Sequence, residues 1–317
     1  MNRPRFADAI LTAALWFLFL TAFGAGTSEA ASTMEYQGVL SGGGLIRPSA
    51  VSPDHDDPGL CVTDDGSRTL DLFDAGGFHR FRTDVSARIS SPMDGSIDRT
   101  GGFVFTDRAQ EGGRTIGRLN RLGEPLAYRP RPPRSGWTPN RLLIARDGHY
   151  VTLDRSGLLA KHDASTGELI WSLPLVASDS ERADLLGRPA EAPDGRIYVP
   201  GGLMRAALIV SPDGRLLGSF GRQGSRRGEF IFPVAVAFDS GGRVLVLDRM
   251  RHKILLFDGD HRFIEEFGRI GLAPGDLYHP VAMAAGSDDR VYVAQGFEGR
   301  VQVFRLLDSE SNSRGSE

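Results

Sequence analysis

Short apolar runs separated by Gly, Asp and Asn turns recur along the chain, and the clearest set lies in 227-RGEFIFPVAVAFDSGGRVLVLDRMRHKILLFDGDHRFIEEFGRIG-271. The runs PVAVAF, RVLVLD, KILLFD and RFIEEFG are rich in β-branched and aromatic residues, which predicts strands. The joining turns DSGG and DGDH carry the Gly and Asp that tight hairpins need, because these residues tolerate positive φ. Val234 to Phe238 and Val244 to Leu247 are apolar at successive positions instead of alternating. A strand of that kind is covered on both faces.

The set repeats. A proline opens each unit at Pro48, Pro92, Pro139, Pro189, Pro233 and Pro280, at intervals of 44, 47, 50, 44 and 47 residues. A second column closes the second run at Asp64, Asp107, Asp154, Pro200, Asp248 and Gln295, at intervals of 43, 47, 46, 48 and 47, so the two columns keep step. The same skeleton reads GLCVTD, TLDLFD and FHRF in the first unit, GGFVFTD, TIGRLN and EPLAY in the second, and DGRIYVP, AALIVS and RLLGSFG in the fourth. Sheets that all need covering on both faces satisfy one another by radial stacking, so the pattern predicts an all-β, six-bladed β-propeller over residues 35–307. The sixth unit has three strands, PVAMA, RVYVA and RVQVF, whereas 35-EYQGVLSG-42 is an orphan strand before the first proline. Glu35 to Leu40 is therefore expected beside Arg300 to Phe304, closing the ring as the outer strand of the last blade.

The order of proline, PVAVAFD, GGRVLVLD, a basic turn, ILLFD and FG resembles the NHL repeat of six-bladed propellers, most strongly over residues 214–305. The third unit departs from it. Its HDASTGELIWSLPL is similar to the repeat of pyrroloquinoline-quinone-type propellers, in which a TG turn precedes a Trp that staples neighbouring blades. The NHL resemblance implies several unrelated occupations, since the fold hosts sensor domains, a histidine-metal lyase, lactonase-like enzymes and RNA binders.

The segment MNRPRFADAILTAALWFLFLTAFGAGTSEAAS carries Arg3 and Arg5, an apolar run from about Ala9 to Phe23 and small residues ending at Ala30. It reads as a secretory signal over residues 1–30, with an uncleaved anchor helix as the rival, and places the body in the periplasm or outside the cell. Lys plus Arg is 37 against 40 Asp plus Glu, with Lys161 and Lys253 the only lysines. No long block of one sign stands out, which argues against a nucleic-acid or membrane-surface binder. Cys61 is the single cysteine and falls on an apolar strand position, as a buried thiol would. The polar tail, residues 308–317, has no apolar anchor and is expected to be disordered.

Candidate chemistry follows from the register. Two positions past each proline, on the strand nearest the axis, stand Ala50, Asp94, Arg141, Glu191, Ala235 and Ala282. Asp94, Arg141 and Glu191 come from consecutive units, and an arginine between two acids suits an ion-pair network or a small polar or anionic ligand better than a cation. Immediately before the prolines stand Arg47, Ser91, Thr138, Arg188, Phe232 and His279, near one mouth of the channel. The seven histidines otherwise fall in different columns, so a three-imidazole metal site is not expected, and neither is any cofactor. The acidic 54-DHDDPG-59 occupies a hairpin turn, and the Asp column closing the second strands reads as turn architecture, with Asp64–Arg68, Asp107–Arg114 and Asp248–Lys253 as ion pairs. Arg129, Arg131 and Arg134 lie in a proline-rich connection, either a partner contact or an inter-blade connector. No GxSxG, HExxH, P-loop or dinucleotide fingerprint is present in a suitable context.

The expected function is an extracytoplasmic, non-catalytic propeller that binds a protein or envelope partner through loops on its top face and is itself monomeric. The alternative is a lyase or lactonase-like enzyme at the channel mouth, using Asp94, Arg141, Glu191 and His279.

Overall fold

The computed structural model describes residues 32–54, 59–84, 91–108, 114–176 and 185–308. The segment read as a signal, residues 55–58 of the acidic turn and the tail beyond residue 308 lie outside them. Residues Ser32–Leu307 form one compact unit, built from strands with no α-helix among the described residues.

Strand β1 (Thr33–Val39) precedes the first proline. Blade 1 contains β2 (Pro48–Pro53), β3 (Leu60–Asp64), β4 (Thr69–Phe73) and β5 (His79–Asp84); blade 2 contains β6 (Asp94–Ile97), β7 (Phe103–Arg108) and β8 (Arg114–Leu119). Blade 3 has β9 (Pro139–Ile144), β10 (Tyr150–Asp154), β11 (Leu158–His162) and β12 (Leu169–Pro174); blade 4 has β13 (Ala190–Glu191), β14 (Ile197–Gly201), β15 (Ala206–Val210) and β16 (Leu216–Phe220). Blade 5 is β17 (Pro233–Phe238), β18 (Val244–Asp248), β19 (Lys253–Phe257) and β20 (Phe263–Phe267); blade 6 supplies β21 (Pro280–Ala285), β22 (Arg290–Gln295) and β23 (Arg300–Leu307).

The six sheets are antiparallel meanders, and the sixth is completed by β1 in the order β1-β23-β22-β21. The register sets Glu35 opposite Arg305, Tyr36 opposite Phe304 and Val39 opposite Gln302, with a bulge between Tyr36 and Gly38. Strand β1 and the last strand thus share one sheet, as the orphan-strand reading predicts. Tyr36 meets Phe304 edge-on, with ring centroids 5.9 Å apart, so the closing strand is fixed by packing as well as by its ladder.

The apolar side chains fall into six clusters, one for each contact between neighbouring blades. Strand β18 shows how the sequence achieves this. Val244 and Val246 point toward blade 4 and pack with Tyr198 and Ile209, while Leu245 and Leu247 point toward blade 6 and pack with Val291 and Val293. A run of successive apolar residues therefore feeds two interfaces at once, which explains why these strands do not alternate. Cys61 takes its place in the contact between blades 1 and 2, fully buried beside Leu70 and Phe105.

Blade 2 departs from the expected pattern. EPLAY does not form a fourth strand; only a single bridge joins Leu119 to Pro125, with Leu126 N–H donating to Arg118 C=O. Pro125 cannot donate to a ladder, and Pro130, Pro132 and Pro133 carry the chain away as an extended connector. In the third blade Trp171 is the expected staple: its Nε1–H donates to Pro212 C=O of blade 4 at 3.1 Å. Gly214 (φ 83°) lies under the indole, where an added Cβ would come within 2.6 Å of the ring.

The Asp column is architectural. The buried Asp64 carboxylate accepts from Ile46 N–H (2.6 Å) and Arg47 N–H (3.0 Å) before the proline, and from Gly66 N–H (2.8 Å) in its own turn. Asp248 repeats the pattern with Ile231, Phe232, Met250 and Arg251 amides. Each carboxylate ties the entry of a blade's inner strand to the turn after its second strand. The ion pair expected between Asp248 and Lys253 is not made; Lys253 reaches Glu266 at 3.2 Å instead, because the Asp248 oxygens are turned inward to the amides. Asp64 likewise serves amides and not Arg68, whose backbone is left-handed at φ 60°. Of the third expected pair, the Arg114 side chain lies outside the described positions.

Candidate functional site: the axial channel and its mouth

The inner strands β2, β6, β9, β13, β17 and β21 line a central cavity of about 1000 Å³. All six residues of the second column after proline reach it: Ala50, Asp94, Arg141, Glu191, Ala235 and Ala282. Its walls are unequal. At mid-channel, blades 5 and 6 contribute alanines, including Ala237 and Ala284, whereas blades 2, 3 and 4 contribute Asp94, Arg141 and Glu191 in the same column.

The charged side is organised by Arg188. From the start of blade 4 it extends across the channel, and its Nε–H lies 2.9 and 3.1 Å from the two Asp94 oxygens of blade 2. Its Nη1 donates to Val51 C=O and its Nη2 to Ser52 Oγ, both at 3.2 Å, on the opposite blade 1. Asp94 is fully buried and also accepts Leu142 N–H at 2.9 Å. Burial pushes its carboxyl up from the ordinary value, against the pull of Arg188, Arg141 and these hydrogen bonds. Burial pushes Arg141 down, with Asp94 opposing and Arg188 adding to the shift.

This corrects the expected triad. Arg141 does not bridge Asp94 and Glu191; Arg188 holds Asp94, and the Glu191 carboxylate accepts Arg146 N–H at 2.5 Å. Burial raises the Glu191 carboxyl above its ordinary value. His279 is a second correction. It is not among the residues lining the cavity: its left-handed backbone (φ 41°) turns the ring into an aromatic cluster with Tyr278, His252 and Phe297, at centroid distances of 4.6, 5.3 and 5.8 Å. Arg47, by contrast, lines the mouth and pairs with Asp65 at 2.8 Å. Among the described residues, no group of three or more His, Cys, Asp or Glu is placed to hold a metal ion.

The end of the propeller that carries the prolines has a distinct surface. The turns between second and third strands, and the segments before the prolines, all open on this end. They expose Ile46 (62%), Leu203 (44%), Met250 (54%) and Phe297 (71%). Arg47, Arg205 and Arg249 stand among them. Leu203, Met250 and Phe297 occupy the turn between second and third strands in three consecutive blades, with Ile46 before the proline of the next; these solvated side chains are not needed by the core, because the inter-blade clusters are complete without them.

The arginine-rich connector is occupied with its own blade. Arg131 N–H donates to Gly167 C=O (2.8 Å) and its guanidinium to Glu168, while Arg134 pairs with Asp154 at 3.3 Å. Trp137 and His162 pack with centroids 5.1 Å apart beneath it. The segment fastens blade 2 to blade 3.

No family model matches the chain, and no curated protein is significantly similar to it. Solved structures do resemble it. A Bacteroides thetaiotaomicron protein of unknown function superposes with a TM-score of 0.65 at 11% identity, covering 87% of this chain and 76% of that one. A catalytically inactive virginiamycin B lyase from Staphylococcus aureus, solved with quinupristin, gives 0.60 at 11% identity over 87% and 100%. A protein of unknown function from Bacteroides caccae gives 0.57 at 15% identity over 80% and 90%. Likeness at such identities shows the six-bladed propeller fold and nothing finer.

Proposed function

We propose that this chain is an NHL-type propeller, exported from the cytoplasm, that acts as a non-catalytic scaffold and docks a protein partner on its proline end. The observation that carries the reading is the ring of exposed apolar side chains there, Ile46, Leu203, Met250 and Phe297, interspersed with arginines. Isolated exposed apolar residues are ordinary; three that recur at the same turn of neighbouring blades, with a fourth on the adjoining pre-proline segment, mark an interaction surface. Arginine among apolar groups suits a partner surface that is itself apolar and acidic.

Support also comes from the channel. The residues an enzyme at the mouth would use are separated: Arg188 neutralises Asp94, the Glu191 carboxylate is engaged by a backbone amide, and His279 packs among aromatic rings. General acid–base work asks for groups converging on one reacting atom. The lyase likeness therefore lends its fold to the proposal and not its reaction.

The test is site-specific photo-crosslinking in the producing cell, with the probe at position 203 on the proline end or at position 240 on the other end. The expected result is one protein crosslinked through position 203 and lost when Met250→Asp and Phe297→Asp are added, with thermal stability unchanged. Equal crosslinking through position 240, or survival of the crosslink in the double variant, would overturn the reading.

A further inference from the structure

The guanidinium of Arg141 has no acceptor on the protein. It makes no hydrogen bond among the described residues, and its Nε is shut off from solvent without a partner. The neighbouring acid makes no hydrogen bond to it: both Asp94 oxygens are turned to Arg188, and one of them also takes Leu142 N–H. Two guanidiniums thus face one carboxylate at this point of the wall, and Arg188 alone is hydrogen-bonded to it. A buried donor is normally satisfied by protein, water or a bound ion, so a half-buried arginine whose donors open on a cavity signals an absent acceptor.

The rest of the cavity describes that acceptor. A planar carboxylate matches the guanidinium fork. On the blade 5 and 6 side, Ala235, Ala237, Ala282 and Ala284 form an apolar wall with room beside it, in a space of about 1000 Å³. A small inorganic oxyanion would satisfy the arginine and leave that wall wet; an organic anion fills both halves.

We propose that Arg141 anchors the head group of a small organic carboxylate held in the axial channel, with its apolar body against the alanine wall. The site lies inside the ring, below a mouth that shares Arg47, Arg249 and Phe297 with the proline-end surface, whereas Met250 stands outside the cavity.

Titration calorimetry on the purified chain tests this with acetate, hexanoate, benzoate, uncharged benzamide and inorganic phosphate. Hexanoate or benzoate is expected to bind saturably, and at least about tenfold tighter than acetate or phosphate; for benzoate the same margin is expected over benzamide, the contrast an arginine-anchored carboxylate gives. Arg141→Gln is expected to lose at least about tenfold in affinity while Met250→Asp leaves it unchanged. The comparison of benzoate with benzamide needs only the wild-type chain, so it stands even if the arginine variant misfolds. Failure of all three carboxylates to saturate, phosphate binding as tightly as benzoate, or full affinity in a folded Arg141→Gln variant would overturn the assignment.

Discussion

Replacing Arg188 with methionine removes a strut that joins blade 4 to blades 1 and 2 across the channel. The guanidinium is mostly buried and Asp94 wholly so, and the variant loses the pair at 2.9 Å together with the bonds to Val51 C=O and Ser52 Oγ. Breaking a buried pair from one side costs roughly 3–5 kcal/mol, chiefly because the remaining charge is left uncompensated. Asp94 would keep Leu142 N–H and the nearby Arg141, which places the expected loss at the lower end, about 3 kcal/mol. For a chain of this size each kcal/mol lowers the midpoint by about 2–4 °C, so a fall of roughly 6–12 °C is expected. Adding Asp94→Asn removes the stranded charge and should restore about half of the loss. Thermal denaturation followed by circular dichroism reads both variants. A fall of less than about 2 °C for Arg188→Met, or no recovery in the double variant, would refute the role given to this pair.

Trp171→Phe keeps the ring over Gly214 but loses the hydrogen bond to Pro212, for an expected cost of about 1 kcal/mol in urea denaturation. Burial pushes Glu266 up, yet Lys253 and Arg251 outweigh it and hold the carboxyl below its ordinary 4.5. A depressed carboxylate contributes stability above the unfolded value and loses it as pH falls through the folded one, so the midpoint should drop below about pH 4.5 with a slope that Glu266→Gln flattens. Burial, reinforced by Asp71, pushes the Cys61 thiol up, so a soluble disulfide reagent should label it only after unfolding.

Much of the architecture was legible in the sequence because proline spacing and doubly apolar strands are direct consequences of radial sheet stacking. The column from Ala50 to Ala282 was legible for the same reason, since register along an inner strand fixes which residues meet the axis. What register does not give is reach across a ring. Arg188 sits one residue before its proline, yet its long side chain crosses to blades 1 and 2, a distance in space that no spacing along one strand encodes. His279 occupies the same column, and its left-handed backbone, with Tyr278 and Phe297 close by, sends the ring elsewhere. The missing strand of blade 2 follows from proline chemistry that was present in the sequence but outweighed there by the apolar look of EPLAY.

Every placement above depends on β1 completing the sixth sheet, and a disulfide across that seam tests it most directly. Glu35 and Arg305 are register partners, and cysteines at facing positions of antiparallel strands fall within bridging distance. In a Glu35→Cys, Arg305→Cys variant, mild oxidation should give an intramolecular link between peptides containing positions 35 and 305, read by mass spectrometry, together with a raised thermal midpoint. Free thiols at positions 35 and 305 after oxidation, or only links between separate chains, would mean that the ring is not closed by its first strand.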